Sequence, residues 1–304
     1  MAKPEPTSFI AIAALSLCLL LPLRVYQTTS LIEPDTGFFS QSHFTVTLFY
    51  IIGAVVIASL MILSFLNSKA VRTRNCVAKS KALGVVSAFA ALSITLNAVT
   101  SFIDFVEIIK LCEQNMTGAF EYSLIVKIAA LIPHLVKEGG AALIFQSVFG
   151  ALAALFFWVY TVSCFNKNAK ISSFSVLSVA PTIWAVARII FRFVEKISFV
   201  NISDLLLELI MLVFLIMFFL SFAQVVTRVS PEVSAWRLFG CGLPAAIVAF
   251  LISVPRLFLI VVGHSDLIVE GYEFELCDLA IAIFIPVFLF FTSTAKNINK
   301  KGSL

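Results

Sequence analysis

Charge is what this sequence is short of. Only 12% of its 304 residues are Asp, Glu, Lys or Arg, against about 25% in a soluble domain. A water-soluble globule of this length is therefore excluded, because it would lack the polar surface to clothe itself. No two of the six cysteines are spaced C-x-x-C, which removes a common zinc and redox signature. The three histidines, His43, His134 and His264, fall outside the apolar runs and show neither H-x-x-x-H nor H-E-x-x-H spacing. No metal site and no cofactor is expected. There is no G-x-S-x-G, and no histidine inside an apolar run to serve as a base. Asp35-Thr36-Gly37 spells the aspartic-protease tripeptide but occurs once, and that chemistry needs two carboxylates sharing a proton. With Pro34 before it, it reads as a turn. Enzymatic chemistry is thus not expected. The basic residues are dispersed over loops, so no nucleic-acid partner is expected either.

What is abundant is apolar side chain: 61% of residues are hydrophobic, with 31 Phe and a mean hydropathy of +1.06. Apolar runs of about 20 residues match the thickness of a bilayer core. Eight occur, at 8–23, 44–66, 83–106, 141–165, 173–194, 204–226, 238–262 and 277–293. The expected fold is an all-α integral membrane protein of eight transmembrane helices, a single polytopic domain over 1–304 with the lipid bilayer as its partner. The first run resembles a signal-peptide core in length. It closes on Pro22-Leu23-Arg24 without a small-x-small cleavage site, so a retained helix is expected. Residues 120–136 carry apolar side chains spaced by three and four. This stretch reads as an external amphipathic helix lying on the membrane or over the bundle. Cys112 and Cys277 alone fall outside together; small buried hydrophobes are the expectation for the cysteines rather than a disulfide.

Eight spans place both termini on one side. That side carries Lys3, Lys69, Arg72, Arg74, Lys79, Lys81, Lys167, Lys170, Arg228, Arg237, Lys296, Lys300 and Lys301, against Glu5 and Glu232. The positive-inside rule makes it the cytoplasm. The short loops suggest a bacterial inner membrane. Two helical hairpins of the C-terminal half also look alike. Asp204-Leu205-Leu206 and Asp278-Leu279-Ala280 each open a Phe-rich helix, and each preceding helix carries a proline followed by an arginine. That likeness suggests a two-helix repeat, although apolar composition alone produces similar alignments.

The scarce charges inside the runs are one-sided. Arg24, Arg188, Arg192 and Arg256, with Asp104, Glu107, Asp204, Glu208, Glu275 and Asp278, all lie toward the non-cytoplasmic ends. At a rise of about 1.5 Å per residue, Arg188 and Arg256 sit roughly 9 Å deep. A charge at the bilayer centre costs about 2.5–3.5 kcal/mol on insertion scales, so these groups must pair, snorkel or line water. Arg188 and Arg192, four apart, share a helix face, as do Asp204 and Glu208. A polar pocket open to the outside is expected, with Arg188, Arg192, Arg256, Asp104, Asp204 and Glu208 as ligand-binding candidates. Arginines there would grip the carboxylate of an anionic or zwitterionic solute, which points to a small-solute transporter or transporter subunit. Interhelical ion pairs that merely brace the bundle are the competing account of the same residues. A non-catalytic sensor or assembly protein, making its contacts through 120–136, is the alternative function.

Overall fold

The computed structural model describes residues 6–33, 38–40, 43–68, 80–115, 139–166, 175–194, 202–227, 231–269 and 271–301. The amphipathic stretch expected at 120–136 lies outside them. Among the described residues the chain is helical, with no strands and one isolated bridge between Ile32 and Phe39. Among the described residues eight helices are long and apolar enough to cross a membrane, the fifth only together with the 3-10 turn Leu177–Val179 that leads into it. They are α1 (Pro6–Ser30), α2 (Phe44–Leu66), α3 (Lys81–Asn115), α4 (Gly140–Phe165), α5 (Ala180–Val194), α6 (Ile202–Val226), α7 (Pro231–Val262) and α8 (Leu276–Lys301).

Several helices outrun the apolar runs that announce them. α1 continues through Pro22 to Ser30, so Arg24 and Gln27 are helical. α3 runs to Asn115, which places Asp104 and Glu107 on a helix. α7 carries Pro244 and Pro255 inside it. Hydropathy detects the part of a helix that matches lipid, whereas the hydrogen-bonded ladder continues until its carbonyls find water or caps. Pro181 behaves differently from the other two prolines. A 3-10 turn, Leu177–Val179, tightens the chain just before α5, and Pro181 then sits in the first turn, where no amide hydrogen is needed.

α7 is the hub, contacted by α1, α2, α6 and α8. α3 and α4 form the broadest helix pair, α8 packs on α3 and α7, and α5 packs on α4 and α6. Small side chains make the α3–α4 approach possible, as is usual in lipid. A Cβ at Gly150 would lie 3.1 Å from the Ala98 Cβ and 3.2 Å from the Trp184 ring. Hydroxyls then bridge the seam. Ser87 and Thr161 bond at 2.8 Å, and Ser147 donates to the Ala98 carbonyl at 2.9 Å. α2 is the least covered helix, with Ile51, Val55, Ile62 and Phe65 exposed as an apolar face suited to lipid.

The half of the bundle away from Asp204 and Asp278 is filled with aromatic rings. Phe156, Phe157 and Tyr160 of α4, Phe218, Phe219 and Phe222 of α6, and Phe284 and Phe288 of α8 are all fully buried. Gly242 of α7 lets this cluster close. A Cβ there would lie 2.7 Å from the Phe218 ring and 3.1 Å from Ile285, and Phe218 is itself wedged against Phe219, Phe222 and Phe288. Gly242→Ala is expected to force α6 and α7 apart and cost about 1–3 kcal/mol. A thermal midpoint in detergent unchanged from that of the parent chain would contradict this.

Candidate functional site

The opposite half holds the charges. On α5 the buried positions Pro181, Trp184, Ala185, Arg188 and Arg192 share one face, while Ile190 and Phe193 are exposed. The helix thus turns its polar side inward and its apolar side out, as lipid demands. Asp204 and Asp278 sit in the first turns of α6 and α8, where a carboxylate also meets the positive end of the helix dipole.

Arg188 is the centre of an ion-pair lattice. Its guanidinium donates two bonds to Asp278, at 2.5 and 3.1 Å, and one to Glu275 at 2.9 Å. Glu208 lies 3.6 Å away, and the guanidinium stacks on Trp184. One turn along, Arg192 Nε donates to Glu208 at 3.0 Å and Nη1 donates to the Gly271 carbonyl at 3.1 Å. Its Nη2 lies 3.6 Å from Glu275. Arg188, Arg192, Glu208 and Asp278 are all buried. Here the desolvation penalty is offset by bidentate geometry and by more than one partner per charge.

Arg24 makes a separate pair with Asp204. Gln27 supports it by accepting from Arg24 at 3.4 Å and donating to the Thr45 carbonyl at 3.1 Å. Arg256 is different again. It is buried, donates to the Glu273 carbonyl at 3.2 Å and stacks on Tyr272, whose ring also receives Arg192. Arg256 forms no ion pair among the described residues. Beside it lies a hollow of about 20 Å³, lined also by Arg24, Asp204 and Tyr272, which is room for one water.

A cavity of about 550 Å³ opens next to the lattice, within the roughly 300–1,000 Å³ range of small-molecule sites. α3 supplies Asn97, Ser101 and Asp104, α4 supplies Gln146, α5 supplies Arg192, and the segment before α8 supplies Glu273 and Glu275. Asn97 donates to Glu275 at 3.1 Å, so the cavity wall and the lattice are joined. Glu275, Cys277 and Asp278 bring their donor atoms within 4.8 Å of one another, a grouping able to hold a metal ion. Arg188 lies on both carboxylates, however, and the cation they hold is a guanidinium.

Of the residues singled out from sequence, Arg188, Arg192 and Glu208 meet directly, and Arg256 approaches them through Tyr272. Asp204 faces Arg24 instead of the lattice. Asp104 is exposed on the wall of the cavity. Cys277, weighed for a disulfide, is free and buried. Sequence reasoning passed over Asn97, Gln146, Gln27 and Tyr272, because it collected only ionisable groups. The signal was available: an amide inside an apolar run is also costly to bury and needs partners.

The fold and this half of the bundle define a multi-pass membrane protein. No protein-family model, curated protein or solved structure matches the chain.

Proposed function

We propose that the protein binds a small zwitterionic or anionic solute in a pocket open to the outside of a plasma membrane, as a transporter or the binding subunit of one. The supporting observation is the cavity of about 550 Å³ that shares Arg192 and Glu275 with the buried lattice. Bundle stability by itself does not call for so many charges, since apolar side chains of similar volume serve a core as well or better. Charges kept at that expense, next to a space of ligand size, suit a site that recognises charge. The excess of basic residues on the terminal side directs the pocket outward.

Arg256 provides the test, because no carboxylate among the described residues depends on it for an ion pair and it shares the Tyr272 ring with Arg192 of the cavity wall. Arg256→Ala is expected to reach the membrane at near-parental levels and to lose solute uptake at least about tenfold. Right-side-out vesicles incubated with an isotope-labelled metabolite mixture report this by mass spectrometry of their contents. Equal contents in vesicles with the chain, without it and with the variant would end the transport reading.

A further inference from the structure

Arg256 is a buried cation to which the described residues bring no counter-charge. It is 6% exposed and lies well inside α7. The lattice does not serve it. Glu208, Glu275 and Asp278 are shared between Arg188 and Arg192, and Asp204 pairs with Arg24. Arg256 itself has one hydrogen bond, from Nη1 to the Glu273 carbonyl at 3.2 Å, and the face of Tyr272 at 5.7 Å. A carbonyl dipole and an aromatic ring lower the cost of burying a guanidinium, but they leave its charge uncancelled.

The hollow of about 20 Å³ beside it is a place for the missing charge. It lies between α1, α6 and α7, where Arg24, Asp204 and Arg256 border it, two guanidiniums against one carboxylate. Much of the remaining wall is aliphatic, with Leu251, Leu259 and Ile268, so a charge inside is weakly screened. The Thr28 hydroxyl on the same wall is spent on carbonyls of α1, which leaves guanidinium N–H groups as donors. Nη2 of Arg256 is sealed off by protein and serves nothing in the hollow. Nε is not among the sealed atoms and has no acceptor in the described residues. Its N–H is the donor that the hollow can use.

We propose that this hollow binds a single chloride ion on Arg256, with Arg24 alongside. Volume selects the species. About 20 Å³ admits one atom-sized ion, whereas sulfate or phosphate, with four oxygens around a centre, does not fit. A water fits but brings no charge. Asp204 on the same wall and the extra carboxylate of the lattice oppose an anion, so the affinity is expected in the millimolar range and not tighter. The proposal concerns a space separate from the cavity of about 550 Å³ and does not depend on the solute-binding reading.

The experiment uses the full chain in lipid nanodiscs, prepared in gluconate, and follows its thermal midpoint as sodium chloride replaces gluconate at constant ionic strength. Chloride is expected to raise the midpoint to a plateau at millimolar concentration. Bromide is expected to do the same, and sulfate to give no such plateau. Arg256→Gln keeps a donor of similar reach and removes the charge. It is expected to weaken the halide response about tenfold or more. Should that variant fail to fold, bromide decides: anomalous scattering from crystals of the parent chain grown in bromide is expected to place a peak in the hollow beside Arg256. The proposal is overturned if chloride leaves the midpoint of the parent unchanged, if sulfate shifts it equally, if Arg256→Gln responds like the parent, or if no bromide peak falls in the hollow. A halide response without vesicle uptake upholds this site and removes the solute-binding reading. Uptake without a halide response does the reverse.

Discussion

Replacing Arg188 by alanine is expected to cost about 3–5 kcal/mol, the range for removing one partner of a buried ion pair. The variant would accumulate poorly in the membrane and unfold early in detergent. Arg188 neutralises Asp278 through two hydrogen bonds and Glu275 through a third, and Asp278 is only 2% exposed. Without the guanidinium, Asp278 keeps its charge in a site that water does not reach, or takes up a proton and abandons its acceptor geometry. The loss should be mostly interaction rather than lost packing, and a double-mutant cycle separates the two. Arg188→Leu and Asp278→Leu should each be severe. The double variant should recover much of the loss, because an apolar pair of similar size needs no compensation. Additive thermal shifts for the two single variants would show that Arg188 and Asp278 do not depend on each other, which the geometry forbids. The same reasoning makes Arg188 a poor probe of ligand binding and Arg256 a good one.

The second large effect belongs to the other half of the bundle. Phe222→Ala is expected to cost about 3–5 kcal/mol, as full truncation of a buried aromatic does. The Phe222 ring lies 4.9 Å from Phe288, 5.5 Å from Tyr160 and 5.7 Å from Phe284, centroid to centroid. It is thereby the meeting point of α4, α6 and α8. In lipid the hydrophobic effect contributes little to holding helices together, because the tails are as apolar as the side chains. What is lost is the dispersion and edge-to-face attraction of rings that already touch. A nearby lipid-facing control such as Phe290→Ala, at a half-exposed position, should change the thermal midpoint far less. Equal effects at the two positions would mean that the aromatic cluster is filler and not the brace of that half.

Both predictions turn on pairings that a linear reading handles unequally. The spacing of Arg188 and Arg192 is enough to put them on one face of α5, since i and i+4 coincide on any helix. Which carboxylates meet that face is another matter. The repeated Asp-Leu motif suggests that Asp204 and Asp278 play matching parts. Each accepts an arginine, but Asp204 takes Arg24 from α1 and Asp278 takes Arg188 from α5. Choosing between these arrangements requires knowing which helices are neighbours and how each is turned about its axis. Side-chain volume decides that across the whole bundle, through Gly150 against Trp184 or Gly242 against Phe218. The amides were overlooked for a related reason. The bond from Gln146 to Ser101 has meaning only once α3 and α4 are known to be neighbours.

The sequence by itself determined that the chain has eight helices of membrane-spanning length, and that its intramembrane charges gather toward one set of ends. Run length and residue polarity are one-dimensional quantities that a bilayer reads directly. The tertiary structure decided which charges neutralise each other, and that a cavity of about 550 Å³ lies beside them. Helix rotation and neighbour choice arise from packing among residues far apart in the chain, and no local pattern encodes them.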